Sequence, residues 1–137
     1  MTDMTEQEDR LVAAAISAMG QAYAPYSNFP VGAAILDEDG TIHSGANVEN
    51  AAYPVGNCAE ASAIAAMVMA GRRTIIAIAV AGGDGAMLCT PCGGCRQRLR
   101  EFAAPDTPVL VSGPGGLQRR FTLEELLPES FGPENLS

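Results

Sequence analysis

The chain contains no tryptophan, and only 5% of its 137 residues are aromatic, although 47% are hydrophobic. Its core must therefore be built from Ala, Val, Ile, Leu and six Met, and small side chains imply close packing between elements. Positive charge is scarce: 8 basic residues face 16 acidic ones, for a net charge of −8. That balance repels a phosphate backbone and offers no basic stripe, which excludes nucleic acid and anionic membrane surfaces as expected partners. No stretch is apolar for long enough to span a bilayer, and Met1 to Arg10 is acidic and polar where a secretory signal needs a basic start and an apolar run. These absences point to the cytoplasm. Histidine occurs once, as His43, with no His or Cys at ligand spacing, so a structural or exposed role is expected for it.

The length suits one domain spanning residues 1–137, enough to bury a continuous core without disulfides. There is no internal repeat, low-complexity segment or evident linker. Thr5 with Glu8 fits a capping box opening a helix from about Glu6 to Met19, where Leu11, Val12, Ala15, Ile16 and Met19 recur at helical spacing. Two apolar runs, Val31 to Leu36 and Thr41 to Ala46, flank Asp37-Glu38-Asp39-Gly40 and predict a β-hairpin. Asn47 to Asn57 shows neither period and reads as an ordered loop, a usual place for binding residues.

A helix is expected from near Cys58 to Ala70, stopped by Gly71 and apolar on nearly every face, hence buried all round. Ile75 to Ala81 is a continuous apolar run, the mark of a central strand covered on both faces. Pro91 suits the first turn of a further helix, from Cys92 to about Phe102. Val109 to Ser112 and Gln118 to Thr122 are short strand candidates, Thr122 with Glu125 marks a capped helical turn, and the tail after Phe131 reads as loose. This alternation implies an α/β fold, a three-layer α/β/α sandwich around a mixed five-stranded sheet.

Cysteine carries the chemical information. In a reducing compartment, four cysteines with three of them within Cys89 to Cys95 indicate metal or catalytic chemistry sooner than disulfides. Cys92 and Cys95 lie three apart at a helix start, so both sulfurs share a face, and Cys58 could add a third ligand from across the fold. Three protein ligands leave a fourth position for water, as catalytic zinc requires; four would close the site. Both segments are expected to be helix N-termini, whose free amides stabilise thiolates and partly offset the −1 charge of a three-thiolate zinc complex. Glu60, two residues past Cys58, places a carboxylate beside the metal, suited to moving protons during hydrolysis at an amidine carbon.

Cys58-Ala59-Glu60 with Pro91-Cys92-Gly93-Gly94-Cys95-Arg96-Gln97 resembles the zinc signature of the cytidine deaminase superfamily, and its cysteine-first form is similar to the small homotetrameric, zinc-dependent free-nucleoside type. The resemblance extends to Pro25-Tyr26-Ser27-Asn28-Phe29, Asn47-Val48-Glu49-Asn50-Ala51-Ala52-Tyr53 and Leu126-Leu127-Pro128 with Phe131. It implies one Zn2+ per subunit on Cys58, Cys92 and Cys95, and Glu60 as proton shuttle while water, activated at the metal, attacks C4 of cytidine or deoxycytidine, in pyrimidine salvage. It implies that Asn47 and Glu49 hold the ribose, that Phe29 and Ala59 line the nucleoside pocket, and that Tyr53 and Phe131 complete a neighbouring subunit's site in a homotetramer. One departure stands out: where relatives commonly carry Arg after the catalytic Glu, this chain has Ala61, and Arg96 is the expected substitute for its charge.

Other readings compete. All four cysteines, Cys89 included, could form a closed structural zinc site in a non-catalytic interaction domain; otherwise Cys89 is a buried or partly buried free thiol. An aminoacyl-nucleoside antibiotic could replace the plain nucleoside. An iron–sulfur run fails because Leu99-Arg100 stands where Cys-Pro is needed, and Gly93-Gly94 lacks the Lys of a phosphate loop.

Overall fold

In the computed structural model, which describes residues 4–137, a five-stranded sheet is sandwiched between helices. Its strands are β1 (Val31–Asp37), β2 (Ile42–Ala46), β3 (Ile75–Gly82), β4 (Pro108–Gly113) and β5 (Gly116–Thr122), in spatial order β2-β1-β3-β4-β5. β3 and β4 run parallel and every other neighbouring pair antiparallel, so the sheet is mixed as expected. The apolar run from Ile75 is the central strand.

Side-chain alternation divides the core into two layers. Ala34 and Leu36 of β1, Ala77, Ala79 and Ala81 of β3 and Leu110 of β4 face α1 (Met4–Met19), which lays Leu11, Val12 and Ala15 on them. Ala33, Ile35, Ile78, Val80, Val109 and Val111 face the other way, toward Ala59, Ala63, Ile64 and Met67 of α2 (Ala59–Met69) and Leu99 of α3 (Gly93–Phe102). The small-residue composition is used for close approach. A Cβ on Gly32 would lie 2.1 Å from the Ala15 carbonyl oxygen of α1, and one on Gly45 would lie 2.5 Å from the Ala63 amide nitrogen of α2.

Helix ends largely follow their local signals. Gly71, at φ 86°, ends α2 in a Schellman motif, with Gly71 N–H donating to the Val68 carbonyl and Arg72 N–H to that of Met67. Thr122 and Glu125 form the expected capping box ahead of α4 (Leu123–Leu126). Thr5, by contrast, is not a cap: it lies inside α1, and Glu8 turns instead to Arg120 of β5, 3.1 Å away. Pro91 is not in the first turn of α3 but precedes its N-cap, Cys92.

Two expectations about burial are overturned. Helix α2 is not buried all round, because Ala65 and Ala66 are exposed and Met69 is 86% exposed, leaving an apolar face turned from the sheet. The tail is not loose. Arg100 of α3, itself buried, donates to Ser130 Oγ at 2.9 Å and pairs with Glu134 of a terminal 3-10 turn (Pro133–Leu136), while Gln97 donates to the Phe131 carbonyl at 2.8 Å. A guanidinium inside α3 needs acceptors, and the tail supplies them. His43 is structural: its Nε2 lies 2.7 Å from Asp37, whose buried carboxylate also accepts from the amides of Asp39 and Thr41 across the hairpin turn.

Candidate metal centre and active site

The helix starts of α2 and α3 bring distant cysteines together. Cys58 and Cys92 are the N-cap residues of these helices, neither side chain is used as a cap, and Cys95 lies one turn into α3. The sulfurs of Cys58, Cys92 and Cys95 all lie within 4.8 Å of one another. Tetrahedral zinc with bonds of about 2.3 Å holds neighbouring sulfurs about 3.8 Å apart, so the three fit one ion with little movement. Cys89 is not part of this cluster.

The protein's own groups act unequally on these thiols. Burial pushes Cys95 and Cys58 up, and charges nearby add to the rise at both. Cys92 is also raised by burial, but the Cys95 backbone amide and the neighbouring thiols outweigh this and bring it below its ordinary value. Cys89 is pushed up to about 11, first by burial and then by the charge of Glu60, so it stays a thiol at neutral pH.

Glu60, in the first turn of α2, is 4% exposed. Burial raises its carboxyl above the usual range, opposed by its own backbone amide, the Cys95 thiol and the charge of Arg98. A cavity of about 200 Å³ opens onto these groups, lined by Cys58, Ala59, Glu60 and Cys92 together with Phe29, Asn47, Cys89 and Thr90. A buried carboxylate and two of the three clustered thiols, Cys58 and Cys92, facing one small cavity are groups suited to metal-assisted hydrolysis.

Asn47 ties two lining residues of the cavity together: its Oδ1 accepts from Val31 N–H at 2.9 Å and its Nδ2 donates to the Phe29 carbonyl at 3.0 Å. Glu49 belongs to an adjoining pocket with Tyr26, Ser27, Asn50 and Tyr53. Its carboxylate accepts from the amides of Tyr26 and Ser27 and from the Ser27 hydroxyl, and that hydroxyl, more than the opposing burial, holds it below the ordinary range. Tyr53 packs edge-on against Tyr26 and is otherwise exposed, and Phe131 lies exposed in the C-terminal tail. Within one chain neither lines the cavity at the thiols.

The arginine expected to serve the sulfurs does something else. Arg96 is spent on oxygen atoms, donating to the carbonyls of Pro91 and Leu126 at 2.7 Å each and to Thr90 Oγ1 at 3.1 Å. Arg98 is the one that reaches a sulfur, with Nη1 3.6 Å from Cys95 Sγ. Sequence reasoning missed it; its position one turn past Cys95 on the same helix was the available signal.

Comparison with known proteins agrees with this arrangement. The family described as the cytidine and deoxycytidylate deaminase zinc-binding region matches residues 5–111. A cytidine deaminase of Sporosarcina psychrophila is 45% identical over 130 residues, covering 94% of each chain, and one of Halalkalibacterium halodurans is 43% identical over 127 residues, covering 93% of this chain and 96% of the other. Among solved structures, the cytidine deaminase of Burkholderia pseudomallei superposes with a TM-score of 0.82 at 41% identity, over 96% of this chain and all of the other. With its fold and most of its length matched in this way, the chain belongs to the cytidine and deoxycytidylate deaminase family.

Proposed function

We propose that this protein hydrolyses the exocyclic amine of cytidine or deoxycytidine, giving the uracil nucleoside and ammonia, with Cys58, Cys92 and Cys95 holding one Zn2+. The observation that carries this reading is the buried Glu60 facing the same small cavity as Cys58 and Cys92, two of three mutually close thiols whose third member, Cys95, lies buried behind them. Zinc bound there supplies Lewis acidity, making water acidic enough to be deprotonated near neutral pH.

The chain's own groups provide the rest. Glu60 would take one proton from water and deliver it to N3 as the water oxygen bonds to C4, then take the second from the resulting C4 hydroxyl and give it to the amine, so that C4–N breaks as the C4 carbonyl forms; its raised carboxyl is suited to giving as well as taking protons. Phe29 supplies an apolar wall for the base and Ala59 a small residue beside it. Asn47 keeps one amide hydrogen and one lone pair beyond its two internal bonds, and Glu49 has about one of its roughly four lone pairs left after accepting three bonds, so both can meet ribose hydroxyls. A plain nucleoside, rather than a larger cytosine derivative, fits that pair.

We further assign this chain to a homotetramer in which Tyr53 and Phe131 complete a neighbour's site. Both are exposed in the single chain, as is the apolar outer face of α2 with Met69, and all three surfaces gain from burial. A cytoplasmic enzyme of pyrimidine salvage fits both the free-nucleoside substrate and the need for reduced thiols. The test is direct: cytidine is added to the zinc-loaded protein and its ultraviolet absorbance followed, alongside metal content and mass in solution. Absence of turnover at full zinc occupancy would remove the assignment, and a monomeric mass at working concentration would remove the shared site.

A further inference from the structure

Three thiolates on a divalent ion leave the centre with a charge of −1, and Glu60 adds a further negative group beside it. Helix α2 offers no cation to balance this, since its sequence from Ala59 to Met69 contains none. Helix α3 carries three, but Arg96 is committed to oxygen acceptors and Arg100 to the C-terminal tail. Arg98 is left. It lies in a surface groove between the two helices, with Ala61, Ile64 and Ala65 on the α2 side and Gln97 and Glu101 on its own. No ion pair joins it to Glu101 among the described residues. Because Ala61 is only a methyl group, the guanidinium can fold back along α3 and place Nη1 3.6 Å from Cys95 Sγ.

We propose that Arg98 is the positioning residue of the metal centre: it donates a charge-assisted hydrogen bond to the Cys95 thiolate, stabilising the anionic site and leaving the metal more Lewis-acidic than three unscreened thiolates would. The inference rests on the zinc assignment above. At neutral pH zinc uptake converts three thiols into a complex of charge −1, so a nearby positive charge favours the loaded form. The hydrogen bond also draws electron density from sulfur, so its removal makes Cys95 a stronger donor. The open groove beside Ala61 makes a second prediction, that an arginine placed there can recover the charge from the opposite helix.

The test uses the full chain with Zn2+ and Co2+ as probes. Zinc affinity at pH 7 is measured by competition with a chromophoric chelator, and the sulfur-to-cobalt charge-transfer band is recorded for the parent, Arg98→Gln, Arg98→Lys and the double variant Arg98→Gln with Ala61→Arg. Arg98→Gln is expected to bind zinc about ten-fold more weakly. Its cobalt band should move to lower energy, while the melting temperature of the zinc-stripped protein stays at the parent value. Arg98→Lys and the double variant should each recover part of the affinity. Affinity and band superposing on the parent would overturn the proposal while leaving the zinc assignment intact, as would a loss traced to a lower melting temperature of the stripped protein without recovery in the double variant. A parent that binds no zinc, or binds it unchanged after Cys58→Ser, overturns the zinc assignment itself and this inference with it.

Discussion

Replacing Glu60 by Gln isolates proton transfer from everything else the residue does. The two side chains have nearly the same shape, so the packing of the first turn of α2 is kept, and the three thiols are untouched. Only the ability to gain and lose a proton goes. General acid–base groups contribute about 10²–10⁴ in rate, and because Glu60 is assigned more than one transfer the upper end applies: about 10⁴-fold in kcat. At 1.36 kcal/mol per decade this is roughly 5 kcal/mol of barrier. Stability should move the other way. Burial, the largest influence on Glu60, raises its folded value above the ordinary 4.5. A carboxyl raised in the folded state binds more protons there, so it costs stability as pH rises above the unfolded value. The zinc-stripped Glu60→Gln protein should therefore melt at or above the parent at pH 7, and the difference should shrink as pH falls toward 4.5. The assays are cytidine absorbance at measured zinc occupancy and thermal melts of the stripped protein. Turnover near the parent's at full occupancy would refute the role given to Glu60.

Cys89→Ser should keep one zinc per chain and measurable turnover, because Cys89 lies outside the thiol cluster; loss of zinc would instead indicate a closed four-thiolate site. Gly32→Ala forces a Cβ against the α1 backbone at 2.1 Å, where neither partner can yield cheaply, so a loss of about 3 kcal/mol or more is expected in urea unfolding. Asp37→Asn should cost about 1–3 kcal/mol at pH 7, since the Asn amide presents a donor where the carboxylate accepts from His43. Burial works against the Asp37 carboxylate, but the His43 contact and the Thr41 and Asp39 amides outweigh it and lower its folded value below 3.8. Its contribution is therefore present above about pH 3.8 and lost as pH falls through the folded value, so Asp37→Asn should flatten the acid limb of the stability curve.

Most of the architecture was legible because each element announces its own period. Ile75 to Ala81 is apolar at nearly every position, which only a strand covered on both faces sustains, and β3 is the central strand. The thiol cluster was legible because Cys58, Cys92 and Cys95 sit at helix starts, where spacing fixes direction. What failed were features decided by partners far along the chain. Thr5 and Glu8 have the local form of a capping box, but Glu8 is claimed by Arg120, 112 residues away. The tail after Phe131 has loop composition, yet a buried guanidinium of α3 fixes it. Arg96 and Arg98 carry the same charge two positions apart on one helix. Neighbouring carbonyls at Pro91 and Leu126 capture the first, and the helical turn returns the second to Cys95.

On the proposed zinc assignment, that last pair bears on how an acidic chain of net charge −8 houses a negatively charged centre. The sulfurs of Cys58 and Cys92 stand at helix N-caps, where the unpaired amides of the first turn and the helix dipole favour negative charge, each interaction contributing about 0.3–1 kcal/mol when exposed and more when partly buried. Cys95 lies in the first turn of α3 but is fully buried, and that burial pushes its thiol up. It is also the sulfur that Arg98 reaches. On the zinc assignment proposed above, the two helix starts and the Arg98 guanidinium together oppose the negative charge of the site, and the guanidinium reaching Cys95 past Ala61 supplies a positive charge that α2 does not.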